Sequence, residues 1–172
     1  MSAPRPTSES PPDADPEAVA RAICLRLLTS APRTRAQLAE ALAKRAVPGE
    51  VADRVLDRLT EVRLVDDAAF ADAWVTSRHA GRGLARRALG DELRRRGVDG
   101  GVIERALGSL DADQERRTAR ALVERRVGAT AALEPHKRVA RLAGFLCRKG
   151  YAPGVALSVV RDVLAAEGVD AP

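Results

Sequence analysis

LAEALAKRAV at residues 38–47, LGDELRRRGV at 89–98 and LAGFLCRKGY at 142–151 are three versions of one pattern. Each opens on a leucine pair at i, i+4: Leu38 with Leu42, Leu89 with Leu93, Leu142 with Leu146. That spacing places both side chains on one face of a helix. A basic dipeptide follows (Lys44-Arg45, Arg95-Arg96, Arg148-Lys149), then a helix stop at Ala46, Gly97 or Gly150. Next come Val47, Val98 or Tyr151, a short turn, and a new helix begun by Val51, Val102 or Val155. The copies stand 51 and then 53 residues apart. Self-similarity at this period marks a helical array in which small units stack on their neighbours.

The flanking sequence agrees. Thr34 and Gln37 form a T-x-x-Q capping box that opens a helix. Asp99 and Asp111 are candidate N-caps, and Asp66-Asp67 suits a helix start, where acids complement the dipole. Gly97 and Gly150 can adopt the left-handed conformation that ends a helix. Ala46 stands where the other copies have glycine; a left-handed alanine costs about 1 kcal/mol, so the first turn is expected to close differently. Val51, Val55, Leu59 and Val62 form one apolar stripe, and Val155, Val159 and Val163 form another. No segment sustains the alternation of a strand. The expected fold is all-α: an elongated tandem array of three three-helix units. Its nine helices are placed near 17–29, 34–45, 49–62, 67–79, 84–96, 100–109, 113–126, 136–149 and 154–167. The units span 17–66, 67–111 and 112–168. Residues 1–16 hold five of the ten prolines and no apolar stripe, so they read as a disordered tail.

Composition narrows the function. Apolar residues are 45% and charged residues 31% of the 172, an ordinary globular balance. Aromatics are 2% (Phe70, Trp74, Phe145 and Tyr151), so Leu, Val, Ala and Ile must build the core. Phe70 and Trp74, at i, i+4, read as core. Cys24 and Cys147 sit on apolar stripes and form no CxxC pair, which fits reduced, buried thiols of a cytoplasmic protein. No secretory leader or membrane span is visible. His79 and His136 lack a ligand partner at i+3 or i+4, so no metal site is expected. Gly81-Arg82-Gly83 lacks the strand and third glycine of a dinucleotide loop and reads as a flexible joint between helices. No cofactor and no catalytic constellation is expected; the chain reads as a non-enzyme and a monomer.

The net charge of +5 and pI of about 10.0 favour an anionic partner. Lys137, Arg141 and Arg148 project within about 40° of one another on their helix. Together with Arg138, Lys149 and Arg161 they lie in a stretch, 135–161, that contains no Asp or Glu. The middle unit offers Arg78, Arg82, Arg86, Arg87, Arg94 and Arg95. Arg87 and Arg94 share an outer face, within about 20°. Arg86 flanks the Leu89–Leu93 stripe. By contrast, Glu40 pairs with Lys44, and the helix after Pro48 mixes Glu50, Asp53, Asp57 and Glu61 with Arg54 and Arg58. Residues 34–62 also admit a helix-turn-helix reading as a direct DNA-binding protein, but those acids would repel phosphates.

These residues resemble a known family. The three L-x-x-x-L-x-x-basic-G-V units, LVDDAAFADAWVTSR at 64–78, GLARRALGDELRRRGVD at 83–99 and the opening ARAICLRLLTSAPRTRAQLAEAL look like RecX, regulator of the RecA recombinase. The resemblance covers about residues 17–167. It implies binding along a RecA–DNA filament, with inhibition of strand exchange and of the coupled ATP hydrolysis in recombination and repair. Single- or double-stranded DNA would be a secondary contact. Family-like positions here include Asp66, Asp67, Phe70, Trp74, Arg78, Gly83 and Gly97, most of which read as structural.

Overall fold

The computed structural model describes residues 15–169, and among them it is all-helical. Nine α-helices follow one another: α1 Pro16–Ser30, α2 Arg35–Ala43, α3 Gly49–Glu61, α4 Asp67–Arg82, α5 Arg86–Arg95, α6 Gly100–Gly108, α7 Ala112–Val127, α8 Pro135–Arg148 and α9 Pro153–Ala166. One 3₁₀ turn, Gly128–Thr130, extends α7. The chain divides into two compact units between Asp66 and Asp67. The first holds α1–α3; the second holds α4–α9. Of the expected tail, residues 1–14 lie outside the described residues. The remaining two belong to α1: Asp15 caps it, accepting from the Glu17 amide at 3.1 Å, and Pro16 occupies its first turn. Proline fits there because its missing N–H would have had no partner in the helix.

Three apolar clusters match the three repeats. In the first unit Leu38, Leu42, Leu56 and Cys24 are fully buried among Val55 and Leu59. In the second unit, Leu89 and Leu93 of α5 meet Ile103 and Leu107 of α6 and Val75 of α4. A further cluster joins Leu142 and Leu146 of α8 to Val159, Val160 and Val163 of α9 and Val123 of α7. In every repeat the third helix packs on both others. The capping box at Thr34 forms as its sequence prescribes, with both reciprocal bonds present. Asp99 and Asp111 cap α6 and α7.

The stop after the second helix of each repeat is the same hydrogen-bonded motif. Val47, Val98 and Tyr151 donate their amides to Leu42, Leu93 and Leu146, five residues back. Ala46, Gly97 and Gly150 donate to Ala43, Arg94 and Cys147. This double closure requires a left-handed residue at its centre. The φ values are +56° at Ala46, +74° at Gly97 and +93° at Gly150. The first turn therefore does not close differently, contrary to the expectation drawn from alanine. Its two hydrogen bonds and the packing of Val47 on the first core outweigh a strain of about 1 kcal/mol. α4 runs three residues beyond its expected end, because the chain stays helical through Gly81 and turns only at Gly83, φ +63°.

The same backbone geometry predicts opposite effects at equivalent positions. Ala46→Gly should stabilise the protein by about 0.5 kcal/mol, since relief of strain exceeds the entropy glycine adds to the unfolded chain. Gly97→Ala should destabilise it by about 0.5–1 kcal/mol on the same balance. Gly150→Ala should be markedly worse than Gly97→Ala, because a Cβ there would lie 2.6 Å from both the Cβ and the backbone nitrogen of Ala88. Urea unfolding of the three variants measures this. Equal losses at 97 and 150 would mean that Ala88 does not sit against Gly150 in solution.

Candidate functional site

The second and third repeats clasp each other through the Gly83 turn. The Tyr151 hydroxyl, buried, donates to the Gly83 carbonyl at 3.1 Å. Burial, with the Glu115 carboxylate as a lesser cause, holds that phenol above its usual pKa. Lys149 donates through Nζ to the Arg82 carbonyl, and the Ala85 amide donates to the Lys149 carbonyl at 2.9 Å. Buried His79 bonds the Leu84 carbonyl through Nδ1 and Thr118 Oγ1 through Nε2, each at 2.9 Å. The carbonyl can only accept, so Nδ1 carries a proton and the Thr118 hydroxyl can donate to Nε2. A Cβ at Gly83 would strike Leu122 of α7 at 2.7 Å. Gly81-Arg82-Gly83 is therefore a pinned junction rather than the flexible joint its composition suggests.

Trp74 anchors a second cluster. Its ring stacks on Phe70 with centroids 5.5 Å apart, and its indole N–H donates to Glu92 at 2.8 Å. The guanidinium of Arg78 lies 4.2 Å and that of Arg96 3.7 Å from the Trp74 ring centre. Trp74 is half-buried, so it is a platform edge of the core rather than its interior. Desolvation lowers the pKa of Arg96, and Arg78 and Arg95 add to the effect against the pull of Glu92.

The structure sorts the candidate cations by where their heads go. Arg138 is a correction: it turns inward, with its side chain 7% exposed. It donates to Thr130 at 3.2 Å and to Glu167 at 2.7 Å, tying the 3₁₀ turn to the end of α9. Its direction, about 100° round α8 from Lys137, faces the core edge. Arg86 is half-buried and donates to the Leu110 carbonyl at 3.0 Å, while its amide donates to Glu115. Arg94 pairs with Asp91 at 2.7 Å, and Arg82 stands 3.6 Å from Glu92. Arg87 and Arg95 are exposed. Arg78 and Lys149 are half-buried, Arg78 over Trp74 and Lys149 at the junction.

Two basic surfaces remain in the second unit. Exposed Lys137, Arg141 and Arg148 line one shallow depression with Leu133 and Ala140. Arg82, Arg125, Arg126 and Lys149 line a groove at the junction, with Leu122 and Phe145 as its apolar part. Arg125 and Arg126 went unnoticed in the sequence because Glu115 and Glu124 dilute the charge of their helix. The consecutive arginines at its last turn were the available signal. In the first unit, Arg54 of α3 pairs with Glu17 of α1 at 2.6 Å, and Asp57 of α3 with Arg35 of α2 at 2.7 Å. The helix that a helix-turn-helix reading would send into DNA thus turns one arginine to an acid of its own unit and keeps Glu50, Asp53 and Glu61 on its surface. No group of three His, Cys, Asp or Glu side chains converges as a metal site among the described residues. No helix there is long and apolar enough to cross a membrane.

Comparison with known proteins falls on the same repeats. Profiles of the first, second and third three-helix domains of RecX match residues 20–59, 66–107 and 113–160. A regulatory protein RecX of Streptomyces coelicolor is 59% identical over 159 residues, covering 92% of this chain and 85% of that one. One from Thermobifida fusca is 60% identical over 151 residues, 88% of this chain and 82% of its own. The crystal structure of RecX from Lactobacillus salivarius superposes with a TM-score of 0.81 at 15% identity, covering 87% of this chain and 97% of that one.

Adjacent cations of α8 should separate cleanly by function. Arg138→Ala should lower unfolding free energy by about 2 kcal/mol, less than a fully buried pair because Glu167 keeps water access. Lys137→Ala and Arg141→Ala should each stay within about 0.5 kcal/mol. Thermal melts of the three single variants check this. A neutral Arg138→Ala would return that residue to the exposed set.

Proposed function

The chain belongs to the RecX family, and from that premise we propose that it docks on the RecA–DNA filament and inhibits strand exchange and ATP hydrolysis. The role is non-catalytic, the protein acts as a cytoplasmic monomer, and DNA is a secondary contact. The observation that carries this reading is the row of Lys137, Arg141 and Arg148 on α8. All three are exposed and line one depression, and none joins an ion pair among the described residues, whereas Arg138 beside them is matched by Glu167. Some surface cations here find carboxylates on their own helix, as Lys44 finds Glu40 and Arg120 finds Glu124. Three that do not, held on a packed helix, offer a ready counter-charge to a polyanionic filament. Arg87 and Arg95 of α5 extend the candidate surface in the second repeat.

Docking through this row has a measurable consequence. Lys137→Ala/Arg141→Ala/Arg148→Ala should keep its helix content and melting, yet inhibit DNA-dependent ATP hydrolysis by RecA at least tenfold less effectively. If the three meet phosphates, the slope of log affinity against log salt should flatten by about 2–3, somewhat under one unit for each lost contact. Arg54→Ala/Arg58→Ala is the control; it removes only an exposed ion pair that water screens and should leave inhibition intact. Full inhibition by the triple variant alongside loss in the control pair would move the docking face to the first repeat.

A further inference from the structure

The chain contains three lysines, and one of them is unlike the others. Lys44 and Lys137 are exposed, and Lys44 pairs with Glu40 at 2.6 Å. Lys149 is half-buried and opens on the junction groove, which it lines with Arg82, Arg125, Arg126 and the Phe145 ring. Its ammonium stands 5.4 Å from the centre of that ring, and the Arg126 guanidinium lies 4.1 Å from the same centre. No carboxylate lines the groove. A lysine drawn in from water is ordinarily matched by an acid; this one has the Arg82 carbonyl and the edge of an aromatic cluster instead. Desolvation first, then the charges of Arg82 and Arg126, push its pKa below the ordinary lysine value. The amine therefore gives up its proton more readily than a solvated lysine does. The Tyr151–Gly83 hydrogen bond fixes the turn beside Arg82, so the amine and its acceptor are held together.

We propose that Lys149 is an acylation site, and that the groove brings the acyl group to it as an acyl phosphate. A neutral lysine amine keeps two N–H bonds and gains a lone pair. One N–H stays on the Arg82 carbonyl while the lone pair turns to the groove. The guanidinium forks of Arg125 and Arg126 match the donor's phosphate oxygens in pairs. They hold the donor beside the amine and stabilise the charge that builds on the leaving phosphate. The lone pair attacks the acyl carbon, and a C–N bond forms. The C–O bond to phosphate breaks with its electron pair on the departing phosphate, and the amine's surplus proton passes to that phosphate or to water. The product amide is uncharged and keeps one N–H for the Arg82 carbonyl, so the modification removes one cation from a cluster that repels itself. An uncharged ester gains nothing from the guanidiniums, and a coenzyme A thioester carries its phosphates at the far end of a long neutral arm. The inference does not depend on the recombinase reading.

The other two lysines make the test internal. The full chain is incubated with acetyl phosphate, and peptide mass spectrometry follows acetylation of Lys44, Lys137 and Lys149 in the same sample. Lys149, although less exposed, should react at least about fivefold faster than either. Excess inorganic phosphate should slow Lys149 and leave the other two unchanged. Arg125→Ala/Arg126→Ala should erase the advantage of Lys149, through lost phosphate contacts and relieved repulsion together. If that pair melts early, Arg125→Gln/Arg126→Gln keeps more of each side chain and carries the same expectation. Arg116→Ala/Arg120→Ala, on the same helix but paired with Asp162 and Glu124, should keep the advantage. Uncharged N-acetoxysuccinimide and acetyl-coenzyme A should each favour Lys149 over Lys44 less than acetyl phosphate does. Equal rates at the three lysines would overturn the proposal. So would a failure of phosphate to compete, an undiminished preference in the folded Arg125/Arg126 variant, or equal loss in the Arg116/Arg120 control. A stronger preference from either alternative donor would also overturn it. None of these results bears on whether the protein inhibits RecA.

Discussion

Every repeat depends on one backbone event: the second helix must end in a left-handed residue whose successor bonds back five positions. That closure does three things at once. It stops the helix, reverses the chain toward the third helix, and drives an apolar residue (Val47, Val98 or Tyr151) under the leucine pair that precedes it. A helix bundle with so few aromatics has little spare apolar area. The angle at which the third helix returns therefore decides whether a core closes at all. Ala46 tolerates strain in order to keep that angle.

In the third repeat the same motif is also an interface. Gly150 has no Cβ, so the backbone at Ala88 can approach it, and Tyr151 extends far enough to reach the Gly83 carbonyl. Lys149, immediately before, is carried to Arg82. The matching basic residues of the other repeats do something else. Arg45 folds back on the Ala41 carbonyl, and Arg96 bonds the Glu92 carbonyl while covering Trp74. One position in the repeat thus serves a helix end, an aromatic platform and an inter-repeat clasp. The α4–α5 turn that it grips becomes one wall of a basic groove.

Charge in this protein is divided by geometry more than by count. Inward-turned Arg138 and half-buried Arg86 act as struts between helices. Arg94, Arg116 and Arg120 are neutralised by neighbouring acids. What stays uncompensated is concentrated in the second unit, on α8 and at the α4–α7–α8 junction. A surplus of five charges spread evenly would give only weak, diffuse attraction. Concentrated on a packed framework, the same surplus acts on a polyanion at short range, where Coulomb attraction is strongest.

Much of the fold was legible in the residues because its signals are local. Leucine pairs, a capping box, aspartate caps and the stops that follow the second helices each act within five residues, so three copies at a nearly fixed spacing specify nine helices and their order. The row of Lys137, Arg141 and Arg148 was legible for the same reason: it repeats along one helix. The rest joins residues far apart in the chain. Arg138 is withdrawn by Glu167, Gly83 is pinned by Tyr151, and Arg82, Arg125, Arg126 and Lys149 come from three different helices to one groove. Periodicity reports the direction of a side chain about its own helix, but not which neighbour waits there. Only packing settles that, because ion pairing and burial depend on distances between helices that no local pattern encodes.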